Sequence, residues 1–67
     1  MGLIPLVTIT VPGMVPLRKW GDIGDIVIDC GCVNYNIDIT AQKTVILVPN
    51  NKRKEVIKRL RGKKFKV

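Results

Sequence analysis

Nine of the twelve basic residues stand in the last eighteen positions: Lys52, Arg53, Lys54, Lys58, Arg59, Arg61, Lys63, Lys64 and Lys66. Glu55 is the one acid among them, so residues 50–67 carry +8 while residues 1–49 carry −1, which accounts for the net +7. Clustered cations repel one another, and a polyanion relieves that repulsion by neutralising them. The chemistry this stretch can do is therefore phosphate neutralisation, weighed against the plain alternative of a solvated charged face. Lys52, Arg53 and Lys54 fall where a helix would start, at the positive end of its dipole, where acids are preferred. An external anion would offset that unfavourable placement.

The other chemistry-bearing residues are fewer. Arg18 and Lys19 precede Trp20, a cation pair beside an indole that suits stacking or phosphate contact with nucleic acid, or else Trp20 covers a small core. Asn34 and Tyr35 offer amide donors and acceptors and a stacking face, suited to RNA contact and equally to a turn. Cys30-Gly31-Cys32 is a C-x-C pair, but there is no His and no third Cys. Two thiols fall short of the four ligands of a tetrahedral zinc site, so no metal or other cofactor is expected and the cysteines read as small apolar side chains at a turn. Asp22, Asp25 and Asp29 read as ordinary loop and strand-end acids. Without a recognisable acid, base and nucleophile, catalysis and a small-molecule substrate are not expected.

These residues must be positioned by a small domain. Sixty-seven residues make one domain whose core is marginal without help, since so short a chain buries only about 60% of its unfolded surface. No apolar run approaches the length of a transmembrane segment. The apolar start, Met1 to Thr10, lacks the basic flank and cleavage site of a secretory leader and the Arg-richness of a transit peptide. Leu6–Val11 reads as a first strand, closed by Pro12-Gly13. Residues 12–23 read as a loop, and Gly24–Asp29, with three consecutive aliphatics, as a second strand. Lys43–Val48 reads as a third strand stopped by Pro49. Asn50 or Asn51 is expected to cap a helix whose Val56, Ile57 and Leu60 form a narrow apolar stripe, with Gly62 as its stop. The fold class expected is α+β, a small three-stranded antiparallel sheet packed against a short C-terminal basic helix.

Gly21-x-x-Gly24-Asp25-Ile26-Val27, then Asn34-Tyr35, then Val48-Pro49 ahead of a basic helix, together resemble the N-terminal domain of the bacterial-type large-subunit ribosomal protein L9 over residues 7–60. The resemblance implies a single rRNA-binding domain over residues 1–62 with a basic tail over 63–67. It implies a structural place in the large ribosomal subunit, with large-subunit rRNA and neighbouring ribosomal proteins as partners. The setting it implies is a mitochondrial ribosome, with a cytoplasmic one as the alternative. It carries Arg18 and Lys19 as loop cations, Gly21 and Gly24 as loop residues, and Asn34 and Tyr35 as RNA contacts. The helix and tail cations Lys52, Arg53, Lys54, Lys58, Arg59, Arg61, Lys63 and Lys64 are assigned from charge alone. The alternative function is a basic interaction module for an acidic protein or an anionic membrane surface.

Overall fold

The computed structural model describes residues 5–67; residues 1–4, part of the apolar start considered above as a possible address, lie outside the described residues. The order of elements is β1 (Leu6–Pro12), α1 (Trp20–Asp29), β2 (Asn36–Ile39), β3 (Lys43–Pro49) and α2 (Arg53–Gly62), with short 3-10 turns leading into each helix. The three strands form one antiparallel sheet in the order β1-β3-β2, so β3 is central. The connection β1-α1-β2 joins two parallel strands with β3 between them, a split β-α-β arrangement.

The strands alternate as their period requires. Ile9 and Val11 of β1 and Thr44, Ile46 and Val48 of β3 are buried, while Thr8, Thr10 and Lys43 between them are exposed. The buried face receives Ile23, Ile26 and Val27 of α1 and Val56 and Leu60 of α2, and these residues form one core with Val15, Cys30, Cys32 and Phe65. Both helices therefore lie on the same face of the sheet. The first and third strands, the C-terminal basic helix and the α+β class are as the sequence predicts.

The second strand is not. Gly24–Asp29 is the body of α1, and the strand is Asn36–Ile39, after the cysteines. Residues 17–23, read as loop, are the turn and first part of the same helix. The helical spacing decides the matter physically: Ile23, Ile26, Val27 and Cys30 stand at i, i+3, i+4 and i+7 and are all buried. As a strand, the same residues would have sent half their apolar groups to solvent. The sheet consequently packs against two helices rather than one.

Each helix ends in a Schellman motif. After α1, Gly31 N–H donates to Ile28 O (3.0 Å) and Cys32 N–H to Val27 O (3.4 Å). Gly31 takes φ +79, which glycine adopts without a Cβ penalty. After α2, Lys64 N–H donates to Arg61 O (3.0 Å) and Phe65 N–H to Leu60 O (3.0 Å), and here the left-handed position is held by Lys64 at φ 68. Gly62, expected to be the stop, lies inside the last turn, two residues early. Phe65 then folds back to join Leu60 in the core, the hydrophobic contact that accompanies this motif. Replacing Lys64 by Gly removes the strain of a β-carbon in the left-handed region, so Lys64→Gly is expected to raise stability by about 1 kcal/mol. A urea titration with an unchanged or lower midpoint would contradict this.

The start of α2 also differs from expectation. Neither Asn50 nor Asn51 caps it; a 3-10 turn over Asn50–Lys52 leads in, and the residue at the cap position is Lys52, with no side-chain capping bond. The turn runs directly into α2, with Arg53 N–H donating to Asn50 O, and Arg53 and Lys54 are exposed at this end.

Candidate nucleic-acid interface

Helix α2 sorts its cations by geometry. Val56 and Leu60 fix the buried side. Arg53, Lys54, Lys58 and Arg61 then line a shallow groove on the outer side, floored by the half-buried Ile57. Lys54, Lys58 and Arg61 follow one another at intervals of four and three residues, the helical spacing that keeps side chains on one face. The stems can cover Ile57 while the charged ends stay in water, so the groove offers a dense row of cations at little desolvation cost.

Arg59 belongs to a different surface. Its Nε and Nη2 donate to Glu55 Oε1, both at 3.4 Å, an exposed i,i+4 pair. Such a pair contributes about 0.3–0.5 kcal/mol. Arg59 also lines, with Lys63 and Gly62, a groove against Asp22, Asp25, Ile26 and Asp29 of α1. Those three acids, read from sequence as loop and strand ends, form a single helical stripe at i, i+3 and i+7. Their negative charge makes this side of α2 a poor place for phosphate. The charge run legible in sequence as one arm is therefore divided by the fold among separate surfaces.

A third group of cations gathers around Phe65. Lys19 Nζ lies 5.3 Å from the centre of the Phe65 ring, a cation–π contact. Lys19, Lys64 and Lys66 line the same depression beside the turn over residues 11–16. The chain beyond α2 is thus pinned by its aromatic residue while its lysines stay exposed. Lys66 belongs to the basic run of the sequence but not to the RNA contacts assigned from it; the burial of Phe65 brings it beside Lys19. Arg18 is exposed in the turn preceding α1.

Trp20 stands at the start of α1, outside the buried core. Its indole Nε1–H donates to Val15 O (2.9 Å), which ties the turn to the start of α1, and the ring remains 43% exposed. Beside it stand Met14 (72% exposed) and Leu17 (73% exposed), with Ile39 and Ala41 completing an apolar notch. Asn34 and Tyr35 lie exposed between α1 and β2. Lys52 leaves the helix surface to lie over Gly31, its Nζ 3.7 Å from where a β-carbon would stand.

Cys30 and Cys32 are both buried and both free, at the cap and just beyond the end of α1. The turn reading of the C-x-C pair is what the geometry shows: Cys32 packs as the apolar residue that closes the Schellman motif. Burial pushes both thiols above their ordinary pKa, with Arg59 pulling Cys30 back and Lys52 pulling Cys32 back. A group whose native pKa is raised stabilises the fold fully below its unfolded pKa, and that contribution is lost as pH rises through the native value. The melting temperature is therefore expected to fall as pH is taken above about 8.5. At pH 8 both thiols are expected to react with a disulfide reagent at least about tenfold more slowly than in urea. Equal rates in the two conditions would contradict their burial.

Among the described residues no helix is long and apolar enough to cross a membrane, and no group of three or more His, Cys, Asp or Glu side chains is placed to hold a metal ion. Gly21–Val27, which carry the likeness to L9 as a loop and strand, are helical, whereas Asn34-Tyr35 lie between elements and Val48-Pro49 lead into the basic helix. Comparison of the chain with protein-family models, curated proteins and solved structures finds no match.

Proposed function

We propose that this protein is a structural RNA-binding protein that holds RNA by neutralising its phosphates, without catalysis. The observation that carries the reading is the row of Arg53, Lys54, Lys58 and Arg61 on the open side of α2, segregated from the acidic stripe of α1. A face that concentrates cations and keeps acids on the other side follows a phosphate backbone, and contacts of this kind position a nucleic acid without reading its sequence. Lys19, Lys64 and Lys66 extend the positive surface, and Asn34 and Tyr35 supply shape or stacking contacts.

Large-subunit rRNA is the RNA proposed, with neighbouring ribosomal proteins as further partners; the apolar notch of Met14, Leu17 and Trp20 supports a protein contact beside the RNA. The likeness to L9 supports this setting through Asn34-Tyr35 and Val48-Pro49 and not through Gly21–Val27. The compartment, mitochondrial or cytoplasmic, follows from which ribosome the protein accompanies.

The test is a titration of a large-subunit rRNA fragment at several salt concentrations. With four phosphates neutralised by the α2 row, log K is expected to fall against log salt with a slope of about −3 to −4. Tagged protein is expected to co-sediment with the large subunit in moderate salt. Affinity independent of salt, or binding to anionic vesicles and not to RNA, would overturn the reading in favour of a membrane-surface or acidic-protein partner.

A further inference from the structure

We propose that β1 is a self-pairing edge, through which two copies of this chain join antiparallel, β1 to β1, about a two-fold axis at Thr8. The inference is independent of the RNA reading. It rests on where the backbone groups of β1 point.

Asn50 N–H donates to Pro5 O, and Gly13 N–H to Gln42 O, each at 2.9 Å, at the two ends of the β1–β3 ladder. These bonds fix the phase of the ladder: the odd-numbered residues of β1 direct their N–H and C=O groups to β3, and the even-numbered ones direct theirs away. Since β1 is an outer strand of the sheet, the N–H groups of Leu6, Thr8 and Thr10 face its free side, together with the carbonyls of those residues and of Pro12. Pro12, with no N–H, ends the row of donors.

That row is symmetric about Thr8. When Thr8 faces Thr8 of a second copy, Leu6 faces Thr10 and Thr10 faces Leu6, and every donor on both edges meets a carbonyl. A shift by one pair keeps the number of bonds but brings Pro12 opposite Leu6, where it accepts a bond and returns none, so that the Leu6 carbonyls inside the paired stretch are left without a donor. On the helix-covered face the same register sets Val7, half-buried in one copy, against Ile9 of the other, extending the core across the junction. On the open face it sets Thr8 against Thr8 at the axis, a favourable cross-strand pair, with Leu6 against Thr10 on either side. An isologous interface requires this kind of self-complementarity.

The two outer strands of the sheet are treated differently by the sequence. β2 has only four residues and bears Asp38, both of which blunt an edge. β1 has seven residues, and Leu6–Val11 contains no charge and no proline. Protection against pairing is absent from the long strand and present on the short one. The interface is one strand wide, at the small end of specific interfaces, so association in the micromolar to sub-millimolar range is expected. Each copy carries +7, so screening by salt strengthens the pair, whereas the same salt weakens binding to phosphate.

Sedimentation equilibrium of the RNA-free protein at about 0.15 M and about 0.5 M salt tests this. The mass of two chains is expected, more fully at the higher salt. Thr8→Lys, on an exposed position, sets like charges opposite each other at the axis and is expected to give a monomer that stays folded, with a melting temperature that no longer depends on protein concentration. Thr8→Cys is expected to cross-link two chains in oxidised glutathione, since directly paired residues lie about 5.5 Å apart, within disulfide reach. Thr10→Cys, which faces Leu6, is expected to give at least about tenfold less cross-linked product. A chain that stays monomeric up to about 1 mM, or equal cross-linking by the two cysteine variants, overturns the proposal.

Discussion

Replacing Lys54 and Lys58 together by Glu is expected to lower affinity for rRNA by about 10²- to 10⁴-fold at 0.1 M salt. Each phosphate contact contributes roughly 0.9 logarithmic units of affinity per tenfold drop in salt below 1 M, so losing two contacts costs about 10²-fold. Reversing the sign adds repulsion between two new carboxylates and the phosphates, which at most doubles the exponent. Both side chains are exposed and on the open face of α2, so the fold survives. At position 54 an acid sits better near the positive end of the helix than the native lysine does, by about 0.3–1 kcal/mol. Loss of affinity therefore has to accompany equal or higher stability. Arg59→Glu is the control. Arg59 is engaged with Glu55 and faces the acids of α1, so its reversal is expected to cost tenfold or less. Filter binding that finds Arg59 as costly as the Lys54–Lys58 pair would mean the two sides of the helix are not distinguished by the ligand.

That distinction was invisible in the sequence, and the reason lies in α1. The pattern was present: Ile23, Ile26, Val27 and Cys30 at helical intervals, with Asp22, Asp25 and Asp29 along the flank that faces Arg59 and Lys63 of α2. Two features hid it. Ile26-Val27-Ile28 is a run of β-branched residues that favours strand locally, and Gly21 and Gly24 each cost a helix about 1 kcal/mol relative to Ala. Tertiary burial of the apolar stripe outweighed both, as it often does for short helices. With residues 12–23 as a loop and 24–29 as a strand, the acids scatter over loop and strand ends and nothing opposes Arg59 and Lys63. The true second strand, Asn36–Ile39, is too short to announce itself, and only its polar–apolar alternation marks it. By contrast β1, β3 and α2 were legible because each combines a clear period with a proline or charge boundary. The basic row of α2 was legible as charge, but its division required the position of a neighbouring helix. Phe65 shows the same limit: its place beneath Lys19 depends on the Schellman turn at Lys64.

Leu60→Ala is expected to destabilise the domain by about 2–5 kcal/mol, the range for removing a fully buried leucine side chain. The site argues for the upper part of that range. Leu60 is shared by two devices at once: with Val56 it seats α2 on the sheet, and with Phe65 it closes the turn that brings the chain back. A helix of ten residues has little stability of its own, so α2 depends on those few contacts. For a domain of this size each kcal/mol moves the melting temperature by about 4–8 °C, so a drop on the order of 10–30 °C is expected. Ile57→Ala provides the comparison: Ile57 is only half-buried at the floor of the cationic groove, and its truncation is expected to cost about 1 kcal/mol. Calorimetry that found the two variants equally stable would show that α2 is not held to the sheet by its buried stripe. Because the phosphate-binding row is displayed only when the opposite side of the helix is docked, warming Leu60→Ala through its transition is also expected to abolish the difference in RNA affinity between the Lys54–Lys58 and Arg59 reversals. An unfolded chain presents its cations without sides.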